Sequence, residues 1–283
     1  MRIAHVIMAH KNPGQLLRLI RRLQHPNFDF YIHLDGKVPM EHFELLQNMD
    51  QVSFIQNRVN CNWGGNSLFL GIISSLKEVI SLHTEYGYIN LLSAQDYPLK
   101  SPEEIYQFFV KNYGKNFISF DPLKSSEWWK GAIKRYEKYH FTDFKFKGKH
   151  VLEKVLNKIA PLRKLPNLGE LYGGSKSTWW SLTHECATYV VNIFDKDTEL
   201  KKFLRFSWGT DEFVLTTLVM NSPYRESTEN NNQRYIDWSE GNPNPKLLKI
   251  SDYDEIINSG MLFARKFDID IDEKILDKID LTP

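Results

Sequence analysis

The chain has 283 residues, with 36 Lys and Arg against 35 Asp and Glu, a formal net charge of +1. That length supplies ample material for a buried core, and the balanced charge excludes a global field suited to nucleic acid or acidic polymers. The two cysteines, Cys61 and Cys186, form no metal-type or redox-type pair and read as ordinary cytosolic thiols, with a single disulfide between them left open.

The N-terminus is apolar for only a few residues, so it reads as a first buried strand over 3–8, neither signal peptide nor membrane span. Asn12-Pro13-Gly14 then gives a turn into a helix over 15–23, where Leu16, Leu19, Ile20 and Leu23 recur at helical spacing. Strands over 28–35 and 52–55 follow. The opening is a β-α-β-α-β series, which predicts a parallel, doubly wound sheet with ligand groups at the carboxyl ends of its strands.

Asn60-Cys61-Asn62-Trp63-Gly64-Gly65 is a loop whose glycines permit a tight turn or a close backbone approach. Its spacing matches neither the dinucleotide-binding nor the P-loop pattern. An amphipathic helix over 67–83 comes next, then a buried strand ending at Ser93, which puts Asp96 at a strand's carboxyl end. Ser101-Pro102-Glu103-Glu104 opens a helix, reason enough for its acids, and 117–120 is a further strand. Residues 124–168 are rich in Lys, Arg, Tyr, Phe and Trp without a clean period. They read as an inserted lobe beside a cleft, with chemistry that also suits RNA or lipid head groups.

Residues 172–183 form a loop entering a strand, on which Trp179 and Trp180 point to opposite faces, one to the core and one to a cleft. A helix over 185–194 precedes Phe206-Ser207-Trp208-Gly209-Thr210-Asp211-Glu212-Phe213. Thr210 or Asp211 can cap a helix here, and acids in a first turn are favoured by the free N–H groups, so the pair taken alone is more often a helix start than an active site. Trp208 and Phe213 flank it with apolar surface, a setting in which a carboxylate becomes a tunable base. Residues 234–238 are strand-like, 242–245 form a turn and 251–255 begin a helix. Asp268-Ile269-Asp270-Ile271-Asp272 has a metal-like pattern, but its strict alternation suits an exposed edge strand.

At this order and spacing several segments resemble the core-2/I-branching glycosyltransferase family, which includes β-1,6-N-acetylglucosaminyltransferases and peptide O-xylosyltransferases. The resemblance is carried by His10-Lys11-Asn12-Pro13, Ile32-His33-Leu34-Asp35, Trp63-Gly64-Gly65, residues 91–101, Gly174-Ser175 with Trp179-Trp180-Ser181, Asp211-Glu212-Phe213 and Phe263-Ala264-Arg265-Lys266-Phe267. It spans almost the whole chain.

The resemblance implies an α/β fold of the GT-A type, a Rossmann-like, mostly parallel central sheet flanked by helices. It also implies inverting transfer from a UDP-sugar, GlcNAc-like or xylose-like, to a hydroxyl, with no divalent metal as cofactor. One domain over 1–283 is expected, with 1–121 the nucleotide-binding half, 122–170 the insertion and 171–283 the acceptor and catalytic half. Glu212 matches the family's base, Lys266 its diphosphate-binding lysine, and His10, Lys11 and Asp35 its donor-binding positions. A second basic position has no direct counterpart; Lys246 is nearest and Arg265 its rival. Glu104 and Trp238 match acceptor-contacting positions, and Asp96 and Trp180 are expected in the cleft. The acceptor is expected to be a glycan or glycolipid of cell-surface polysaccharide synthesis, met in a bacterial cytoplasm with peripheral contact at the inner membrane face and no nucleic acid. The alternative is a carbohydrate-binding or scaffold protein on the same fold.

Overall fold

A computed structural model describes residues 1–82, 84–123, 126–166 and 168–282. The expected helix end at His83, and Lys124, Ser125 and Asn167 of the expected insertion, lie outside the described residues. The strands are β1 (Arg2–Ala9), β2 (Phe28–Leu34), β3 (Val52–Phe54), β4 (Tyr86–Ser93), β5 (Asp96–Pro98), β6 (Asn116–Ile118), β7 (Asp121–Pro122), β8 (Tyr172–Gly173), β9 (Trp180–Thr183), β10 (Thr228–Glu229), β11 (Arg234–Ile236) and β12 (Phe263–Arg265). The helices are α1 (Pro13–Arg22), α2 (Glu44–Gln47), α3 (Asn66–Ser81), α4 (Pro102–Lys111), α5 (Glu127–Ala132), α6 (Lys134–Glu137), α7 (Lys149–Ile159), α8 (His184–Lys196), α9 (Thr198–Leu204), α10 (Val214–Met220), α11 (Tyr253–Asn258) and α12 (Lys274–Asp280).

Seven strands form the main sheet in the order β10-β6-β9-β4-β1-β2-β3. The pairs β1–β2, β1–β4, β2–β3 and β6–β10 are parallel. Strand β9 runs antiparallel to both its neighbours, so the sheet is mostly parallel around one reversed strand. Side-chain alternation along β1 divides the core between two faces. Ala4, Val6 and Met8 pack with residues of α3, α8 and α10, whereas Ile3, Ile7 and Ala9 pack with residues of α1, α4 and α12. Covering both faces is what lets β4 be buried throughout.

A second sheet, β11-β12-β5, carries the C-terminal segment back to the end of β4. In its antiparallel register Arg265 stands opposite Asp96. The two sheets are tied by Arg234, 3% exposed, whose guanidinium donates to Asn90 Oδ1, to Leu91 O at 2.8 Å and to Trp180 O at 3.2 Å. Burial pushes this guanidinium down to about 10, the direction expected for a cation taken out of water.

One expectation changes and one open point closes. The aspartates of 268–272 lie on a turn instead of an edge strand, because Asp268 Oδ1 accepts the Asp270 N–H at 3.2 Å and its carbonyl accepts the Asp272 N–H at 3.1 Å. Cys61 and Cys186 are free thiols, and burial raises the pKa of both. Replacing Arg234 by Met removes these guanidinium donors and leaves Asn90 Oδ1 with the Ser181 hydroxyl, so unfolding in urea is expected to show stability reduced by about 3 kcal/mol with an unchanged m-value.

Candidate active site

The loops at the carboxyl ends of β1, β2 and β4 open on one side of the sheet, as expected for an open α/β architecture. With the C-terminal segment they surround a cleft of 460 Å³. Its walls include His10, Asp35, Lys37, Asn62, Trp63, Gln95, Trp179, Trp208, Glu212, Trp238, Arg265 and Lys266. The Asp35 N–H donates to Ala9 O at 2.8 Å, which ties the end of β2 to the end of β1. Asp35 Oδ1 accepts the Lys37 N–H at 2.9 Å, and the Lys37 ammonium reaches Asn62 Oδ1 at 3.3 Å.

Asp211 and Glu212 sit on a single 3-10 turn, Thr210–Glu212, which breaks at Phe213 before α10 begins. Neither Thr210 nor Asp211 caps that helix, contrary to the expectation. The Thr210 hydroxyl donates to Asn66 Oδ1 at 3.0 Å, and Asp211 Oδ2 accepts from the Thr178 hydroxyl at 2.9 Å. The turn is thereby fastened to α3 and to the segment before β9. The Glu212 backbone N–H donates to Gly209 O at 3.1 Å, and its carbonyl accepts from the Gly174 N–H at 3.0 Å.

The Glu212 carboxylate accepts a hydrogen bond from Arg135 through Oε2. That guanidinium is held between two indoles, 4.8 Å from the Trp128 ring centroid and 4.5 Å from that of Trp208, the preferred setting for a partly desolvated cation. Burial raises the Glu212 pKa to about 7, with Arg135 opposing the shift and Asp211 adding to it. A carboxyl with that pKa can take a proton near neutrality and release it again.

On another wall, Arg265 donates to Asp96 Oδ1 at 2.9 Å and lies 4.4 Å over the Trp179 ring. Burial pushes the Asp96 carboxyl up, and Arg265 counteracts it. Lys266 has no ion-pair partner among the described residues; burial and then the charges of Arg265 and Lys11 lower its pKa. Burial likewise lowers the pKa of His10. Trp238 lines the cleft, and its buried indole Nε1 has no hydrogen-bond partner among the described residues.

Of the residues expected from sequence, Glu212, His10, Asp35, Arg265, Lys266 and Trp238 meet in this cleft. The others fall elsewhere. Trp180 is fully buried in the core because β9 turns it inward, and Trp179 is the cleft member of the pair. Asp96 lies beneath the cleft as the counter-ion of Arg265. Glu104 closes a capping box with Ser101 at the start of α4. Lys11 pairs with Asp268 at 2.5 Å, and Lys246 pairs with Asp252 at 2.8 Å, which raises its pKa, while its neighbours Pro243, Asn244 and Pro245 reach the cleft.

Sequence reasoning missed Arg135, Lys37 and Asn62. Arg135 lies 77 residues from Glu212 in a segment without periodicity, and no local signal pairs the two. Among the described residues no group of three or more His, Cys, Asp or Glu is arranged to hold a metal ion.

Comparison with known proteins places these residues in context. A family model described as Core-2/I-Branching enzyme matches residues 3–258. The chain is 29% identical to Xylosyltransferase 2 of Rattus norvegicus over 304 residues, which cover 99% of this chain and 33% of that protein. It is 27% identical to Xylosyltransferase 2 of Homo sapiens, over 99% of this chain and 33% of that protein. The chain thus spans about a third of the length of the curated relatives it matches. Among solved structures it is similar to the galactosyltransferase LgtC in complex with donor and acceptor sugar analogs, with a TM-score of 0.45, 10% identity and coverage of 93% and 86% of the two chains. It is also similar to mouse xyloside xylosyltransferase 1, with a TM-score of 0.42, 11% identity and coverage of 93% and 97%.

Gly64 shows how tightly the wall is built. It has φ +69°, and a Cβ there would stand 2.3 Å from Trp208 Nε1. A Gly64→Ala variant is expected to lose about 1–3 kcal/mol through backbone strain and displacement of Trp208, read as a lower thermal midpoint together with a shifted tryptophan emission maximum.

Proposed function

The chain belongs to the core-2/I-branching enzyme family, and on that premise we propose that it is an inverting glycosyltransferase that moves a sugar from a UDP-sugar to a hydroxyl without a divalent metal. Xylose and GlcNAc are the donor sugars to test first. The acceptor class we propose is a glycan or glycolipid of cell-surface polysaccharide synthesis, met on the cytoplasmic side. The observation that carries the reading is one cleft lined both by a carboxylate poised near neutrality, Glu212, and by Lys266, a cation with no ion-pair partner among the described residues.

The chemistry follows from those two groups. The acceptor hydroxyl attacks the anomeric carbon on the face opposite the diphosphate. The hydroxyl proton passes to Glu212, the bond from the anomeric carbon to the diphosphate oxygen breaks, and UDP leaves with the electron pair. Inversion needs one base, and a diphosphate needs no protonation to depart. It does need charge stabilisation. Arg265 and Lys266 supply it in this reading. Arg265 is held in place by Asp96 and by the face of Trp179, so it requires no reorganisation when charge develops. Trp238 offers an aromatic face to a pyranose. Arg135 acts as a positioning residue, because it occupies one oxygen of Glu212 and leaves the other to the cleft.

Three outcomes test the proposal. UDP release from UDP-xylose or UDP-GlcNAc should continue in EDTA; loss of turnover in EDTA with recovery in Mn²⁺ would refute the metal-free step. Glu212→Gln should reduce kcat by about 10²–10⁴-fold with little change in donor affinity; unchanged transfer would remove Glu212 as the base. The third outcome is a pH profile. The base works deprotonated, so kcat/KM should rise with pH through an apparent pKa of about 7. Arg135 stabilises the carboxylate, and Arg135→Gln should therefore move that limb to higher pH. A limb that stayed in place would disconnect it from Glu212.

A further inference from the structure

The helix α7, Lys149–Ile159, is amphipathic but mounted the opposite way from a core helix. None of its residues is buried. Its inward side is polar. The Lys149 ammonium donates to Thr142 O and Phe144 O at 3.3 and 3.1 Å. Glu153 Oε2 accepts the Phe141 N–H at 2.8 Å. Asn157 exchanges two bonds of 2.8 Å with the backbone of Tyr139. These three residues recur every fourth position, so they form one stripe that fastens the helix to the loop beneath it.

On the far side of the same helix stand Val151, Val155 and Ile159, 68%, 47% and 76% exposed, with Leu152 beside them and Leu162 just beyond the helix end. Residues two apart on a helix point in nearly opposite directions, so the inward polar stripe at 149, 153 and 157 dictates the outward apolar stripe at 151, 155 and 159. An aliphatic row of this kind facing water is uncommon and marks an interaction surface.

Charge decides the partner. Residues 138–164 contain eight Lys and Arg against two acids, Asp143 and Glu153. The chain as a whole carries +1, so the remainder is net negative. Lys145, Lys147, Lys154, Lys158 and Lys164 are all exposed. Five lysines around an apolar row complement an anionic lipid surface, which takes aliphatic side chains between its head groups and pairs its phosphates with ammonium groups. A second copy of this chain would bring like charges together, and a nucleic acid would leave the aliphatic row in water.

The lobe that carries α7 packs behind the cleft, hydrogen-bonded to Asn62 of its lining and to the segments that carry Trp63 and Trp208. The His140 N–H donates to Phe206 O at 2.9 Å, Arg163 donates to the same carbonyl at 2.7 Å, and Asp143 accepts from Asn62 and from the Ser67 N–H, both at 2.9 Å. A surface docked on α7 therefore lies on a lobe fastened to the segments that carry cleft residues Asn62 and Trp208.

We infer that α7 and its flanking lysines form a docking face for an anionic membrane surface. This holds whatever sugar the cleft transfers. Flotation of the purified full chain with phosphatidylcholine vesicles, with and without phosphatidylglycerol, tests it. Binding is expected only to the vesicles containing phosphatidylglycerol, and it should weaken as salt rises. It should fall by about tenfold in V155E/I159E and separately in K154E/K158E, with far-UV circular dichroism and thermal midpoint unchanged because all four positions are exposed. Equal recovery with both vesicle types, or full binding by V155E/I159E, would overturn the inference. So would a wild-type dimer that V155E/I159E converts to monomer, which would assign the face to self-association. Binding to a single-stranded RNA oligomer that survives V155E/I159E, with no vesicle binding, would assign the lysines to nucleic acid instead.

Discussion

The cleft depends on one buried ion pair, Arg265 with Asp96. Asp96 is wholly buried, and the Arg265 side chain is 12% exposed. Two charges so far from water are tolerated only when each meets the other in good geometry with further contacts around it. Those contacts are present. The Ser93 N–H donates to Asp96 Oδ2 at 3.1 Å, and the Trp179 ring lies against the guanidinium. Because Asp96 follows β4 and Arg265 ends β12, the pair joins the end of the central sheet to the returning C-terminal segment. Lys266 is carried to the cleft as the next residue.

The opposite wall uses the same physics with a different result. Arg135 and Glu212 form a second ion pair, but its carboxylate lines the cleft, with no hydrogen bond to Oε1 among the described residues. Burial raises both carboxyls, and that of Glu212 reaches about 7. One pair has its acid sealed beneath the surface. The other is chemically available, with its acid at the surface. The difference is one of placement relative to the cleft, since each pair joins one arginine to one carboxylate.

The lobe between β7 and β8 shows how far local pattern can mislead. Its lysines, aromatics and aliphatics have no clean period along 124–168, and a reading from sequence sees an undifferentiated basic segment. Folded, it separates into three functions. Trp128 stacks on Arg135, which donates to Glu212, Tyr139 and Arg163 join the lobe to Phe203 and Phe206, and α7 turns its aliphatic side outward. Polar anchoring of that helix at Lys149, Glu153 and Asn157 inverts the usual assumption that an apolar stripe faces the core. Only the contacts beneath the helix reveal the inversion.

Sequence by itself determined the sheet and much of the cleft. Apolar runs, turn residues and helical spacing marked β1 to β4 with α1 and α3, and the strand-end rule pointed to Asp35, while the resemblance to the core-2/I-branching family added His10. Strand periodicity said that Trp179 and Trp180 must face opposite ways, without saying which faced the cleft. Tertiary structure decided that, by pairing β9 antiparallel between β4 and β6. It also decided that Lys11, Lys246 and Glu104 hold the scaffold through Asp268, Asp252 and Ser101, and that Arg135 serves Glu212. The reason is range. Propensity and periodicity act over a few residues, whereas a charge finds its partner through the fold, across 77 residues for Glu212 and 169 for Arg265.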